Sequence, residues 1–215
     1  MITNFTEAKS FINQSRELSI HESISGPGSS VKNTTEARNL ITTSIQKLQI
    51  KSILDLGCGD WNWFKLIDLT GVSYEGWDAD EKMIESNIIN YGRNNIRFST
   101  YDIILSDYFD VDLIICRDVL FHMPINLAKK VIQKSKFSCK YFISTSFREV
   151  NYNKGIDENQ NWGYYPINLN IDPFNLSEYE IEHEREMLGS DPNGVILTPK
   201  RYISLYNFTK FEKKY

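Results

Sequence analysis

Two glycines flanked by acidic residues form the densest group of functional residue types in the chain. Gly57 and Gly59 follow the apolar run Ile53–Leu56, with Asp55 before them and Asp60 directly after them. A glycine turn at the end of a strand lets backbone amides approach a ligand closely, as in nucleotide-binding βαβ units. We therefore expect this turn to bind a nucleotide-like cofactor.

The charge and the spacing of this turn indicate which ligand it suits. The dinucleotide fingerprint needs a third glycine at position 62, where Asn62 stands. Asp55 and Asp60 would also place carboxylates against a pyrophosphate, which is anionic. S-adenosylmethionine carries a sulfonium and an α-ammonium, and one carboxylate can hold the ammonium by a charge-assisted hydrogen bond. The residues therefore favour S-adenosylmethionine over a nicotinamide dinucleotide.

Two further acidic residues follow later apolar runs. Asp78 comes 21 residues after Gly57, close to the offset of about 20 residues at which an acidic side chain binds ribose hydroxyls. Asp102 follows the third run, and we expect its carboxylate to accept from an adenine amino group while Ile103 and Tyr101 contact the ring. These spacings support a nucleoside ligand.

The elements that must position these residues alternate along the chain. Apolar runs predict five strands, at about 51–56, 72–77, 96–100, 111–116 and 141–146. Amphipathic runs predict helices at about 34–48, 63–69, 81–91 and 126–136. Strands alternating with helices indicate an α/β fold with a parallel sheet, and two last strands, 178–186 and 201–208, would pair antiparallel at its edge.

We interpret residues 1–215 as a single domain with four parts. These parts are an N-terminal helical cap (1–48), a cofactor-binding core (51–146), a substrate-side insertion (147–176) and C-terminal edge strands (177–215).

Successive motifs resemble those of the class I S-adenosylmethionine-dependent methyltransferases. They read DLGCGD at 55–60, GWDAD at 76–80 and LIICRDVLFHMP at 113–124. The resemblance implies a Rossmann-like fold, with a seven-stranded, mostly parallel sheet, helices on both faces and one antiparallel strand near the C-terminus. The resemblance also implies site residues: Asp55, Gly57 and Gly59 for the methionine part, Asp78 for the ribose, and Asp102 with Ile103 for the adenine. We also count Arg117 among these cofactor contacts. The sequence departs from the common form of the family at Trp61, where a third glycine often follows the first two.

A narrower resemblance concerns small bacterial methyltransferases associated with surface or capsular polysaccharide synthesis. It rests on SGPGSS at 25–30, CGDWNW at 58–63, CRDVLFH at 116–122 and an insertion rich in Asn and Trp. It implies O-methylation of a sugar or of a group attached to a sugar.

His122 is our preferred general base for such a reaction, because a neutral hydroxyl must lose its proton as the new bond forms. It lies just past the fourth strand, and an unperturbed imidazole is mostly neutral at pH 7. Asp118 is the competing base, or it orients the imidazole if this stretch is helical. The alternatives are that His122 caps or packs the next helix, and that Arg117 or Asp118 fixes the loop. His21 and His183 carry no site assignment.

The insertion mixes amides with aromatics, a composition suited to hydrogen bonding and stacking on a carbohydrate. We assign Asn153, Trp162 and Tyr164 to substrate binding, with Asp157, Asn159 and Asn161 nearby; the alternative is a solvated loop whose aromatics cover the core. The loop at 26–30 offers amides and hydroxyls for the cofactor carboxylate or a substrate phosphate.

Composition narrows the remaining function classes. The net charge of −4 and the pI near 5.5 disfavour nucleic-acid binding, and the Asn/Asp-Pro-Pro-aromatic motif of amino-group DNA methylases is absent after the fourth strand. The three scattered cysteines predict neither a disulfide scaffold nor a zinc site, and we expect no metal. We expect a cytoplasmic monomer or homodimer with no membrane span and a small-molecule or carbohydrate substrate. Methylation of a phosphate- or phosphoramidate-type oxygen, nucleic-acid methylation and a non-catalytic binding subunit remain alternative functions.

Overall fold

A computed structural model describes residues 22–153, 162–183 and 200–208. Seven strands form one sheet in the order β3-β2-β1-β4-β5-β7-β6. Their bounds are Ser52–Leu56 (β1), Ser73–Asp78 (β2), Ile96–Thr100 (β3), Val111–Cys116 (β4), Cys139–Ser146 (β5), Glu178–His183 (β6) and Tyr202–Asn207 (β7). All seven strands overlap the ranges predicted from the sequence, and the predicted end of the sixth, residues 184–186, lies outside the described residues.

Strand direction decides which residues meet at one edge of the sheet. Strands β1 to β5 pair in parallel, whereas β7 pairs antiparallel with both β5 and β6. The predicted mostly parallel sheet with a C-terminal antiparallel strand is therefore confirmed. Because β7 runs in the opposite direction, its first residue, Tyr202, pairs with Ser146 at the end of β5. The start of β7 thus lies at the edge where the parallel strands end.

Three α-helices accompany the sheet among the described residues: Thr35–Lys47 (α1), Glu81–Tyr91 (α2) and Ile125–Ser138 (α3). In α1, the buried residues Ala37, Leu40 and Ile41 recur at helical spacing. Helix α2 begins where the Asp80 carboxylate accepts from the backbone N–H of Met83, which is an ordinary N-cap.

The helix predicted at 63–69 is wrong, because that segment holds only a short 3-10 helix at Phe64–Leu66. Its Leu66 is exposed, but its other apolar residues are buried: Trp63, Phe64, Ile67 and Leu69, along with Trp61 before them. At about 100° per residue these side chains would point all around an α-helix, so a helix on the sheet would expose several of them. An irregular segment buries them all.

Helices cover both faces of the sheet, as predicted. On one face α1 packs with strand residues such as Ile53 and Leu113, in a cluster that also contains Ile84 of α2. On the other face α3 packs with alternate residues such as Leu54 and Ile114. This burial on both faces explains why the central strands are nearly continuous apolar runs. Among the described helices, none has the length and apolar character needed to cross a membrane.

Candidate functional site

A cavity of about 350 Å³ opens at the edge where the parallel strands end. This volume is in the range usual for small-molecule sites, and the carboxyl edge of a parallel sheet is where α/β proteins bind ligands. Eleven of the twelve site residues predicted from the sequence line it: Asp55, Gly57, Gly59, Asp78, Asp102, Ile103, Arg117, Asp118, His122, Trp162 and Tyr164.

The glycine turn follows β1 and is held close to its neighbours. Gly57 and Gly59 have φ angles of 79° and 59°, which favour glycine. A Cβ atom on Gly57 would lie 2.5 Å from Val119 Cγ2, and one on Gly59 would lie 2.4 Å from Ser25 Oγ. The turn therefore needs glycine at both positions, and its backbone stays accessible from the cavity.

Acidic residues mark the ends of β1 and β2. The Tyr74 hydroxyl donates to Asp55 Oδ2 over 2.8 Å, and burial raises the pKa of Asp55 to about 7. The backbone N–H of Gly59 donates to Asp78 Oδ2, and that of Asp80 donates to Oδ1, both over 3.0 Å. These contacts orient each carboxylate while leaving lone pairs for a ligand.

Asp102 lies after β3 and lines the cavity. Its Oδ1 accepts from the backbone N–H groups of Ile104, over 2.7 Å, and Leu105. Its Oδ2 is buried and has no hydrogen-bond partner among the described residues. A buried acceptor without a donor is costly, so this oxygen fits a ligand that supplies an N–H.

The glycine-turn pattern predicted that Asp60 lies against the ligand, but Asp60 does not line the cavity. Its Oδ2 accepts from the Ser23 hydroxyl and from the backbone N–H of Ile24, over 2.8 and 2.9 Å. Its own N–H donates to Ser25 Oγ over 2.9 Å. Asp60 therefore fastens the segment before α1 across the glycine turn, and this segment, at residues 24–29, forms one wall of the cavity.

Asp118 lies between two arginines. Its Oδ2 lies 3.0 Å from Arg117 Nη1 and 3.0 Å from Arg201 Nη1, and its Oδ1 accepts from the Thr145 hydroxyl. Burial opposes ionisation, but the two guanidinium charges outweigh it and lower the pKa of Asp118. A carboxylate held this firmly in its ionised form is a poor proton acceptor, so its predicted role as a base is not supported.

The predicted helical face shared by Asp118 and His122 is also wrong. Asp118 has a φ of 57°, and only residues Leu120–His122 form a short 3-10 helix. The imidazole Nδ1 instead lies 2.9 Å from the Gly163 carbonyl oxygen. A carbonyl only accepts, so Nδ1 carries the proton and Nε2 carries the lone pair. Burial lowers the pKa of His122, which keeps the ring neutral at pH 7.

His122 does not cap helix α3, which begins after Pro124 without a side-chain cap. The insertion instead pairs with the His122 segment, since the Gly163 N–H donates to the His122 carbonyl and the Tyr165 N–H donates to the Phe121 carbonyl. This pairing places the imidazole beside the insertion.

Two of the three predicted substrate residues reach the cavity. Trp162 and Tyr164 line it, and the exposed Tyr164 ring packs against Phe121 with centroids 5.3 Å apart. Asn153 does not reach it: its Nδ2 donates to the carbonyls of Asn168 and Asp172, and its Oδ1 accepts from the Asn168 N–H. Asn153 therefore holds the loop together. Asp157, Asn159, Asn161 and His21 lie outside the described residues.

Sequence reasoning missed Arg201 and Trp63 in the cavity wall. Arg201 precedes β7 and is only 5% exposed, and Trp63 lies under Arg117 with the guanidinium carbon 5.3 Å from its ring centroid. The signal for Arg201 was a basic residue at the start of an antiparallel strand, which the topology brings to the ligand edge. Within residues 22–153, 162–183 and 200–208, no three His, Cys, Asp or Glu side chains are grouped so as to hold a metal ion.

Comparison with known proteins gives one weak sequence relative. No protein-family model matches the chain. Over 108 residues the chain is 26% identical to the ribosomal protein L11 methyltransferase of Campylobacter fetus subsp. fetus. The match covers 44% of this chain and 39% of that protein, so the chain spans about two fifths of the relative's length.

Solved structures match over much more of the chain. Magnesium protoporphyrin IX methyltransferase from Synechocystis PCC 6803, solved with bound SAM, has a TM-score of 0.63 at 16% identity and covers 97% of this chain and 99% of its own. The N-methyltransferase NodS from Bradyrhizobium japonicum WM9, in complex with S-adenosyl-L-homocysteine, has a TM-score of 0.63 at 12% identity, with 95% and 98% covered. TehB from Haemophilus influenzae has a TM-score of 0.59 at 16% identity, with 80% and 62% covered. This protein therefore has the Rossmann-like fold of the class I methyltransferases.

Proposed function

We propose that the protein is an S-adenosylmethionine-dependent O-methyltransferase acting on a sugar or a sugar-linked group. The observation that carries the proposal is one cavity in which the glycine turn and three carboxylates lie at one end and a neutral, oriented imidazole lies at the other. The fold supports it, since solved neighbours hold this cofactor or its demethylated product.

The residues at the strand ends fit S-adenosylmethionine. Asp55 would hold the ammonium, Asp78 the ribose hydroxyls, and the unsatisfied Asp102 Oδ2 the adenine amino group beside Ile103. Arg117, whose Nη2 donates to the Gly28 carbonyl over 2.9 Å, would meet the cofactor carboxylate at the wall formed by residues 24–29. When bound, the cofactor supplies an electrophilic methyl group on a sulfonium.

The acceptor end supplies a proton acceptor in a fixed orientation. His122 Nε2 takes the hydroxyl proton as the bond between the acceptor oxygen and the methyl carbon forms and the carbon–sulfur bond breaks. The Gly163 carbonyl keeps the ring in the tautomer that this step needs. Asp118 acts as a positioning residue, because it holds the two arginines and the start of the loop that carries His122.

The polar and aromatic acceptor wall supports a carbohydrate substrate. Trp162 and Tyr164 offer ring faces, and Trp162 Nε1 is buried with no hydrogen-bond partner in the described part of the chain. The link to capsular polysaccharide rests on the sequence resemblance. We keep the accompanying proposals of a cytoplasmic monomer or homodimer that binds neither metal nor nucleic acid, the last of these supported by the net charge of −4.

Titration calorimetry with S-adenosylmethionine and S-adenosylhomocysteine tests the cofactor first. We expect micromolar binding by the wild type, an affinity at least about tenfold lower for Asp78→Ala because its carboxylate faces the ribose position, and no change for the exposed Asp110→Ala. Absence of binding by the wild type would contradict the proposal and favour a non-catalytic module.

Substitution of His122 tests the base. For a sugar hydroxyl, His122→Gln should lower kcat by about 100-fold or more, as general-base removal typically does. Because burial lowers the pKa of His122, the acidic limb of the wild-type rate profile should fall below pH 6.5 and should disappear in the variant. If the methylated oxygen is a phosphate- or phosphoramidate-type anion, no proton must be removed and His122→Gln should change kcat little. Rates measured from pH 5 to 9 distinguish the two acceptors.

A further inference from the structure

The side chain of Tyr74 connects the buried core to the cofactor end of the cavity. Tyr74 lies on β2 and is only 2% exposed, with its ring packed against Trp61 and Phe64 at centroid distances of 5.5 and 4.8 Å. Its hydroxyl donates to Asp55 Oδ2 over 2.8 Å, and among the described residues it is the only hydrogen-bond donor to that carboxylate. Tyr74 does not line the cavity, whereas Asp55 does. Tyr74 therefore reaches the site through Asp55 rather than by contact with a ligand.

The register of the sheet explains how the hydroxyl reaches Asp55. Asp55 of β1 pairs with Gly76 of β2, and Tyr74 lies two residues before Gly76, on the same face of that strand. A Cβ atom on Gly76 would lie 2.9 Å from the Tyr74 hydroxyl oxygen. The absence of a side chain at Gly76 thus leaves the space that the hydroxyl occupies beside the carboxylate.

The groups around Asp55 act on its ionisation in opposite directions. Burial raises the pKa of Asp55, and the nearby Asp78 carboxylate adds to this effect. The Tyr74 hydrogen bond and, more weakly, the Arg117 guanidinium lower the same pKa. Of the two groups that favour the ionised carboxylate, the hydroxyl is the one in contact with it.

The remaining titratable neighbours of Asp55 stay uncharged. The thiols of Cys58 and Cys116 are both buried, and burial together with the Asp55 charge raises the pKa of each. Burial and the Asp55 charge likewise raise the pKa of Tyr74, so its hydroxyl keeps its proton and remains a donor.

We propose that Tyr74 is a positioning residue for the cofactor, whose hydroxyl orients the Asp55 carboxylate that binds the α-ammonium. The inference rests on the proposed function, in which Asp55 holds that ammonium. A donor to one carboxylate oxygen favours the ionised form and leaves other lone pairs for the ligand. Because the pKa of Asp55 is about 7, this contact affects how much of the protein is ready to bind near neutral pH.

The test measures affinity for S-adenosylhomocysteine by calorimetry from pH 6 to pH 8.5, a range in which the ligand ammonium stays mostly protonated. Wild type, Tyr74→Phe and the control Tyr141→Phe are compared. Tyr74→Phe removes the hydroxyl and keeps the ring. Tyr141 is a buried tyrosine of β5 in the same core cluster.

We expect wild-type affinity to fall below about pH 7. In Tyr74→Phe the midpoint of this fall should lie about one pH unit higher, because a hydrogen bond to a charged group contributes a shift of that order. This variant should then bind about tenfold more weakly than the wild type at pH 6 and within about threefold of it at pH 8.5. Tyr141→Phe should follow the wild type throughout.

An equal loss of affinity at every pH in Tyr74→Phe overturns the inference, since a purely structural residue would act in this way, and so does an unchanged profile. A wild-type affinity that does not vary with pH also overturns it but leaves the cofactor assignment standing. Absence of binding by the wild type instead refutes the proposed function. Should Tyr74→Phe not fold, the midpoint in Gly76→Ala decides, because a Cβ there displaces the hydroxyl; an unshifted midpoint overturns the inference.

Discussion

At the residue scale, single atoms decide whether the glycine turn can form a ligand site. Gly59 and Gly71 both have positive φ, at 59° and 73°. A Cβ on Gly59 would meet Ser25 Oγ, whereas one on Gly71 would meet nothing within 4 Å. Alanine substitutions at the two glycines therefore distinguish the effect of backbone strain from that of steric exclusion.

We predict that Gly59→Ala abolishes S-adenosylhomocysteine binding while Gly71→Ala leaves it unchanged. Each variant should lose about 1 to 2 kcal/mol of unfolding free energy, since alanine disfavours left-handed backbone. In Gly59→Ala, displacement of Ser25 also breaks the bond that its Oγ accepts from the Asp60 N–H. Chemical denaturation and calorimetry measure the two effects, and equal ligand affinity in both variants would contradict this account of the turn.

At the element scale, helix α3 supports the loop that contains Asp102. The Lys134 ammonium donates to the carbonyls of Ile103, Ile104 and Ser106, in the loop that contains Asp102. It also lies 4.4 Å from the ring centroid of Tyr108. One cation from α3 thus fixes three backbone groups after β3.

Lys134→Met should lower S-adenosylhomocysteine affinity by about tenfold, because the loop then holds Asp102 less firmly in the cavity wall. The exposed Lys130 on the same helix provides the matched control, and Lys130→Met should bind normally. If the two methionine variants bind equally well, Lys134 contributes to folding alone.

The strands and turns also show which parts of the fold sequence patterns could predict. Strands β1, β4 and β5 were predictable because burial on both faces makes them short apolar runs between polar turns. The turn residues Gly57 and Asp78 were predictable because their spacing is local. The segment after Trp61 was not predictable, since its apolar residues pack irregularly in three dimensions.

Long-range contacts explain the other differences. Asp60 looked like a ligand-facing acid, but its partner Ser23 lies 37 residues earlier in the chain. Asp118 meets Arg201 across 83 residues, and only the antiparallel direction of β7 brings them together. No local sequence pattern encodes either contact, so the charge distribution around Asp60 and Asp118 depends on the topology of the fold.

At the scale of the whole molecule, burial of the Asp55 carboxylate opposes the stability of the fold. Asp55 is only 3% exposed, and burial raises its pKa from 3.8 to about 7. Between these two values the folded chain binds a proton that the unfolded chain has released, so stability falls as pH rises. Above pH 7 the full cost is present, on the order of 4 kcal/mol for this shift.

Asp55→Asn should therefore raise the melting temperature of the ligand-free protein at pH 8 and have little effect near pH 4, where the folded state keeps its proton and the carboxyl group of the unfolded state is only partly ionised. Asparagine keeps an acceptor for the Tyr74 hydroxyl, so packing changes little. Scanning calorimetry at pH 4 and pH 8, with the exposed Asp110→Asn as control, measures the difference. A variant less stable than the wild type at pH 8 would show that the Asp55 carboxylate supports the fold.

With ligand bound, the wild type should become more stable than Asp55→Asn, because an ammonium beside Asp55 favours the ionised form of its carboxylate. Wild-type affinity for S-adenosylhomocysteine should fall as pH drops below about 7, by up to tenfold per pH unit as one proton must be released on binding. Asp55→Asn should bind weakly and without this pH dependence. Calorimetry from pH 6 to pH 8 in buffers of different ionisation enthalpy measures the proton release directly. If wild-type affinity is flat over that range, the ammonium is held elsewhere, and the buried charge of Asp55 has another function.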